Sequence, residues 1–415
     1  MKIAVVGAGV SGLVAAHLLA SDHDVTVFEA NAYAGGHTNT VRVDTKNETH
    51  WVDTGFIVFN DRNYPRFERL LDRLGVRGQA SNMSFAVSDE HGDFEYASTS
   101  PNGLFAKRAH LATPWFHRMV ADLLRFQKEA RALLASDREG PSLGQFLEDH
   151  HYSRAFVDRL IVPQAAAVWS ADPRQMWSFP ARFLIEFFAN HGMLGFTNRP
   201  KWRTVVGGSH SYVQALTAPW SERLRLATPI EAISRHADHV EVTPRGAEAE
   251  RFDHVILSTH SDQALKLLAD PTPKEHELLG AIPYQPNEAV LHTDATLLPR
   301  RRRAWASWNY HLLQEPTGKP TVTYHMNRLQ TLKAEREFCV TLNHSEAIDP
   351  GKVIRTIPYA HPVYTAQGQA AQARHHEISG QNRTHYAGAY WGWGFHEDGV
   401  VSGERVATAL GAKPL

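Results

Sequence analysis

Cysteine is almost missing from this chain: of 415 residues, only Cys339 carries a thiol. An intrachain disulfide is excluded, and an oxidising compartment gains no support. Net charge is equally scarce, at −1 from 43 basic and 44 acidic residues, so no global field argues for a nucleic-acid partner. No uninterrupted apolar run approaches the roughly 18–20 residues of a membrane-spanning helix. Despite 25 histidines, there is no HExxH, no C-x-x-C and no clear carboxylate–histidine cluster, so no metal is expected. Internal repeats and low-complexity tracts are missing as well. The nucleotide motif described next begins too early to leave room for a leader ahead of it. The expectation is a cytoplasmic enzyme, long enough for two or more packed units.

What is present is concentrated at the two ends. Lys2–Val6, KIAVV, has the unbroken apolar character of a buried parallel strand. It runs into Gly7-Ala8-Gly9-Val10-Ser11-Gly12 and then the helix-forming LVAAHLLA, followed by a second strand, Asp24–Phe28, that ends on Glu29. Strand, glycine turn, helix, strand and acid together form the dinucleotide-binding fingerprint in its required context. Gly7 permits the tight turn, Gly9 admits a pyrophosphate close to the backbone, and Gly12 allows helix and strand to pack closely. The helix N-terminus offers unpaired N–H groups to phosphate. Glu29 is expected at the adenosine ribose, where an acid disfavours a 2′-phosphate.

The fingerprint alone does not choose between NAD and FAD. A Gly35-Gly36 pair follows in NAYAGGHTNT, then VDTGFIVFN, and the chain closes with THYAGAYWGWGFHEDGVVSGERVATAL, again strand, glycine-rich turn and helix. With these three motifs the chain resembles the flavin-containing amine oxidase superfamily, which includes phytoene desaturases and protoporphyrinogen oxidases. GGHTNTV, VDTGFIVFN and AHPVYTAQGQAAQAR carry a narrower resemblance to bacterial amine-oxidase-like flavoproteins similar to the N-terminal region of plant cyclopropane fatty acid synthases. The resemblance implies noncovalent FAD and an α/β fold. In that fold a discontinuous Rossmann-type FAD-binding domain (1–60, 204–270 and 375–415) joins an α+β substrate domain with a helical insertion (61–203 and 271–374). Helices are expected in YPRFERLLDRLGV, PWFHRMVADLLRFQKEARALLA and SLGQFLEDHHYSRAFVDRLIVPQAAAVW, and strands in EAVLHTD, PTVTYHM and FCVTLNH.

The expected cofactor-binding residues are Gly7, Gly9, Val10, Ser11, Gly12, Glu29, Ala30, Gly35, Gly36, His37, Thr54, Gly55, Trp391, Asp398, Gly399 and Val400. His37 stands where the family commonly has arginine; the plain alternative is a loop residue. Tyr390 stands where the family usually has an acid, which puts a side-chain contact to the ribityl chain in doubt. Asp398-Gly399 are expected just ahead of the last helix. Asn287 or Glu288 falls where flavin amine oxidases usually place lysine, which argues against amine oxidation. The catalytic candidates are His361 and Tyr364, a proton-transfer pair on the AHPVY turn, and Tyr390, which with Trp391 and Trp393 offers aromatic walls. Each ring is equally readable as ordinary packing. Arg300–Arg303 with Trp305 and Trp308 is either a solvated loop or a peripheral membrane contact.

The leading expectation is hydride removal from a hydrophobic substrate, a modified or unsaturated fatty acyl chain, with oxygen or another electron acceptor completing the cycle. The alternatives are a flavin amine oxidase and a flavoprotein partner of a lipid methyltransferase. The crowding of apolar residues over 169–196 suggests a long apolar cavity beside the flavin.

Overall fold

Both faces of the first strand are apolar because both are covered. In β1 (Lys2–Val6), Ile3 and Val5 join one core while Ala4 and Val6 join another, as the two-residue period of a strand dictates. α1 (Val10–Leu19) follows the glycine turn, and β2 (Asp24–Phe28) returns parallel to β1 in register Ala4↔Thr26. The computed structural model describes residues 1–136, 140–170, 172–195, 197 and 199–415. A five-stranded sheet runs in the order Leu224–Arg225, β2, β1, His254–Leu257, Thr384–Tyr386, so it draws on three well-separated stretches of chain. Its pairings are all parallel.

One face of this sheet is covered by α1 and the helix His396–Ala409. The other is covered by a small antiparallel sheet, Ile230–Arg235, Val240–Pro244 and Glu250–Phe252, and by the helices Ser261–Leu267 and Pro273–Gly280. A seven-stranded sheet forms the second layer, in the order Val353–Pro362, Tyr284–His292, Cys339–Leu342, Val322–His325, Trp308–Leu312, Phe85–Asp89, Glu95–Ala97. The helices Pro114–Leu134, Leu143–Asp149, Val162–Trp169 and Ala181–Asn190 share its core.

Several local expectations change. The segment read as helix-rich also supplies Phe85–Asp89 and Glu95–Ala97 to the large sheet, where Phe85–Asp89 runs parallel to Trp308–Leu312. That pairing joins residues more than two hundred positions apart, which local periodicity cannot reveal. The long run from Leu143 breaks after Asp149: His151 takes a φ of 50°, and Ser153 Oγ starts a new helix by accepting Phe156 N–H. The last helix begins at His396, not after Gly399, because Asp398 reaches back to accept Phe395 N–H at 2.9 Å. Among the described residues, no helix is long and apolar enough to cross a membrane.

α1 and the helix His396–Ala409 approach closely because glycines face the contact. A Cβ on Gly403 would lie 2.3 Å from Ser11 O, and one on Gly399 2.5 Å from Val10 Cγ1. Gly403→Val should therefore force the helices apart and cost about 1–3 kcal/mol, whereas Gly280→Ala, with open space around its Cα, should stay within about 0.5 kcal/mol. Denaturant midpoints of the two variants check this; an unshifted Gly403→Val would show that the helix contact is loose.

Candidate active site

A cavity of about 2470 Å³ runs from the glycine turn, past both sheets, to the helical layer. Its nucleotide end is built from backbone. Gly7 adopts a φ of 103°, and a Cβ there would stand 2.8 Å from Ser258 O. Gly35 N–H donates to Ala8 O at 2.7 Å, and a Cβ on Gly36 would sit 3.1 Å from Gly9 Cα. The two glycine segments are thus laced back to back. A Cβ on Gly9 would meet nothing within 4 Å, so its open side faces a cavity lined by Gly9, Val10 and Ser11. α1 has no acidic residue in its first turn, and its positive dipole end suits an anion there.

Glu29 is 6% exposed and lines this end. Its Oε2 accepts Ala8 N–H at 2.9 Å, and its Oε1 accepts from Asn31 N and Nδ2, each at 2.8 Å. The carboxylate therefore locks the end of β2 to the glycine turn, a role not read from the fingerprint, and keeps its remaining lone pairs for a ligand.

Farther along, Ala30, Gly35, Gly36, His37, Thr54 and Gly55 line the wall. His37 stacks on Tyr359 at 4.8 Å and lies 5.3 Å from His361. It hydrogen-bonds the Ala360 backbone, and burial first, then neighbouring histidines, hold its pKa well below the usual value. The buried atoms His37 Nε2, Ser258 Oγ and Tyr364 Oη have no protein partner, and all three residues face the cavity. Buried polar groups are rarely left unpaired. A phosphate-bearing ligand with a nitrogen- and oxygen-edged ring, as in FAD, fits both the open glycine cradle and this set of atoms.

His361 is not on a turn; it lies in the strand Val353–Pro362, opposite Gln285. Asn343 Nδ2 donates to Pro320 O at 3.0 Å and to Asn287 Oδ1 at 2.8 Å. Asn287 must therefore present its NH₂ to His361 Nδ1, 2.8 Å away. The imidazole, its pKa lowered to about 4 by burial, is neutral and carries its hydrogen on Nε2. Its unused nitrogen is a hydrogen-bond donor, so of the acid and base roles expected of a proton-transfer histidine this arrangement presents the donor. Asn287 itself lies behind this wall, and neither it nor Glu288 lines the cavity.

Of the expected residues, Gly12, Trp391, Asp398, Gly399 and Val400 do not line the cavity. Trp391 packs edge-on to His375 at 4.6 Å, because consecutive side chains of the tight turn Ala389–Trp391 cannot share the face that Tyr390 occupies. Gly388 is held to glycine by that same ring, which would lie 2.2 Å from a Cβ. Trp393 does line the cavity, stacked on Phe183 at 4.1 Å. Cys339 is buried in the large sheet with its pKa pushed up. Arg301 pairs with buried Glu95 at 2.8 Å, and Arg300 N–H donates to the same carboxylate, so the arginine run is partly committed to holding its own loop. Of the apolar crowd over 169–196, Trp169, Phe187 and Met193 face the cavity; Ala171 and Phe196 lie outside the described residues. Sequence reading missed Thr228, Pro229 and Arg245, which close the nucleotide end. It also missed the cluster His236–His239–Glu241, hidden because its spacing matches no standard metal motif.

Known proteins share parts of this sequence and, separately, this fold. Residues 10–346 match the family described as flavin containing amine oxidoreductase. Protoporphyrinogen oxidase 2, chloroplastic/mitochondrial, of Arabidopsis thaliana is 31% identical over 195 residues, covering 45% of this chain and 36% of that protein. A 4,4′-diapophytoene desaturase of Staphylococcus aureus is 56% identical over 45 residues, 11% of this chain and 9% of its own length. The matched stretches thus span well under two thirds of these relatives. Cyclohexylamine oxidase from Brevibacterium oxydans IH-35A shares the fold with a TM-score of 0.70 at 15% identity, covering 99% of this chain and 98% of that one. A CLA-producing fatty acid isomerase from P. acnes shares it with a TM-score of 0.69 at 16% identity and the same coverage. Because the family match spans most of the chain and the cavity fits the cofactor, the protein belongs to the flavin containing amine oxidoreductases, a family of FAD-dependent oxidoreductases.

Proposed function

We propose that this enzyme removes hydride from a hydrophobic substrate, a modified or unsaturated fatty acyl chain, with oxygen or another acceptor reoxidising the cofactor. The observation that carries this reading is the chemistry of the cavity wall. Beyond the nucleotide end it is lined by Met119, Leu123, Leu160, Val168, Trp169 and Phe187. Glu29 is the one carboxylate side chain among its described lining residues, and it belongs to the nucleotide end. A cationic amine would need an acid or an aromatic cage, and the substrate arm offers no acid among its described lining residues. Arg199 and Lys201 instead bring positive charge to the wall, suited to an acidic group on an otherwise apolar molecule, while Arg203 beside them pairs with Glu68 at 3.1 Å. The P. acnes neighbour, named as a fatty acid isomerase, and the resemblance to the flavoprotein part of cyclopropane synthases support the same substrate class.

FAD, when bound, supplies the hydride acceptor. The chain supplies the rest: Gly9, Val10, Ser11 and Glu29 hold the nucleotide, His37 and Ser258 meet polar edges, and the apolar arm excludes water and orients the chain. His361 would offer its Nε2–H, and Tyr364 its unpartnered Oη, as polar contacts for the cofactor or the substrate. Leu124 is 52% exposed and also lines the cavity, so the cavity wall reaches the surface at an apolar side chain where a lipid would enter.

Purified protein should release its yellow colour into the supernatant on acid precipitation; colour kept in the pellet would mean a covalent link. Glu29→Ala should weaken FAD binding by roughly 1.5–3 kcal/mol, read as lower occupancy after dialysis of a chain whose circular dichroism is unchanged. Full occupancy would remove Glu29 from the cofactor site. Anaerobic bleaching of the flavin should occur with long acyl substrates and not with amines, and Val168→Trp should lower kcat/KM for the acyl substrate at least about tenfold, near 1.4 kcal/mol, at unchanged FAD content. Bleaching by amines alone would overturn the assignment.

A further inference from the structure

We propose that His236, His239 and Glu241 form a binding site for a divalent transition-metal ion of the zinc class, outside the flavin cavity. The site follows from the hairpin. Strands Ile230–Arg235 and Val240–Pro244 pair antiparallel with Arg235 opposite Val240, and His236 N–H donates to His239 O at 2.9 Å. Ala237 and Asp238 therefore form a two-residue turn, and His236 and His239 face each other across it, on one side of the ribbon. Glu241, two residues beyond His239, returns to the same side.

The three side chains converge. The imidazoles stack at 4.4 Å with 15° between planes. His236 Nε2 lies 3.5 Å from Glu241 Oε2, and His239 Nε2 lies 3.6 Å from Oε1. The ligand atoms all fall within 4.8 Å of one another, so small side-chain rotations bring them to the roughly 3.4 Å that separates ligands around one tetrahedral ion with bonds of about 2.0–2.2 Å. Two imidazoles and a carboxylate form a donor set suited to zinc, with room for water in the remaining position.

The shell behind the ligands is built in the same sense. Asp238 Oδ1 lies 2.7 Å from His239 Nδ1, which places the ring hydrogen on Nδ1 and leaves the Nε2 lone pair toward Glu241. Asp238 is in turn held by Arg251 Nη2 at 2.6 Å. A carboxylate behind a ligating histidine is the usual device for fixing tautomer and ring orientation at metal sites. A hairpin tip needing only solubility has no use for it.

The same hairpin and its flanks carry Pro229, Ile230 and Arg245 at the nucleotide end of the cavity, while Ile233, Val240 and Val242 anchor it in the core. An ion bridging the tip would tie its two strands together and stabilise that wall, since a ligand that binds only the folded state raises stability by mass action.

The test uses untagged, FAD-loaded protein stripped with a chelator and desalted. Calorimetric titration with Zn²⁺ should show one saturable equivalent, and Co²⁺ should produce a visible ligand-field spectrum. His236→Ala, His239→Ala and Glu241→Gln should each weaken this binding at least tenfold, and Asp238→Asn by about 10–100-fold, with FAD content unchanged as proof of folding. Absence of a saturable equivalent, or the same affinity in the His236→Ala/His239→Ala double variant, would overturn the site.

Discussion

Close backbone approach is the constraint on which the rest of the structure depends. Gly7 and Gly12 bring α1 onto the sheet, Gly35 and Gly36 lie on the turn that contains Gly9, and Gly399 and Gly403 bring the last helix onto α1. At Gly7, Gly12, Gly35 and Gly403 a Cβ would lie under 3.0 Å from neighbouring backbone, at Gly399 under 3.0 Å from the Val10 side chain, and at Gly36 it would be crowded at 3.1 Å. The gain is a groove floored by N–H groups and open at Gly9, which side chains could only narrow. Gly55 extends the same logic to the second sheet: a Cβ there would lie 2.2 Å from His37 O. That contact, with the Thr54 Oγ1 to Tyr359 Oη hydrogen bond at 3.1 Å, joins the nucleotide loops to the strand carrying His361.

Dryness follows from this tight construction, and it sets the charge state of the wall. Burial depresses the pKa values of His37, His260 and His361, the last to about 4. A histidine whose folded pKa lies below its unfolded value takes up protons more readily when unfolded. The neutral form's contribution is complete above about pH 6.5 and is lost as pH falls through the folded pKa, near 4 for His361. Around neutrality the imidazoles are therefore fixed dipoles rather than charges. Donor and acceptor atoms are set by their partners: Ala360 behind His37, Asn287 behind His361.

Legibility in the sequence follows contact range. The Gly7–Gly12 turn, its flanking strands and the Gly35-Gly36 pair are local patterns whose chemistry is carried by residue type, and they were readable. So were the strands around Ala289, Val322 and Val340 and the long helix Pro114–Leu134. What escaped depends on distant register. Phe85–Asp89 joins the large sheet through Trp308–Leu312, although its hairpin with Glu95–Ala97 is local and was not read, and the Asn343–Asn287–His361 relay exists only because distant strands align. Trp391 was misplaced since spacing says nothing about which side of a one-turn helix a ring leaves. His236, His239 and Glu241 were near in sequence, yet only the two-residue turn shows that they share a face.

The relay gives a physical role to Asn287, which with Glu288 is one of the two residues expected where amine oxidases usually place lysine. A buried cation costs several kcal/mol unless paired, and pairing it would bring a carboxylate toward the substrate arm. An amide asks only for hydrogen bonds, which Asn343, Gln285 and the Ser170 carbonyl provide. It fixes the His361 tautomer as firmly as a charge would, without a field that penalises an apolar chain nearby. A neutral relay and neutral histidines are consequences of one condition on this stretch of wall: polar order without added charge. The basic residues Arg199 and Lys201 line the cavity as well, so what charge the wall carries beyond the nucleotide end is positive, which supports the proposed acidic, otherwise apolar substrate over an ammonium group.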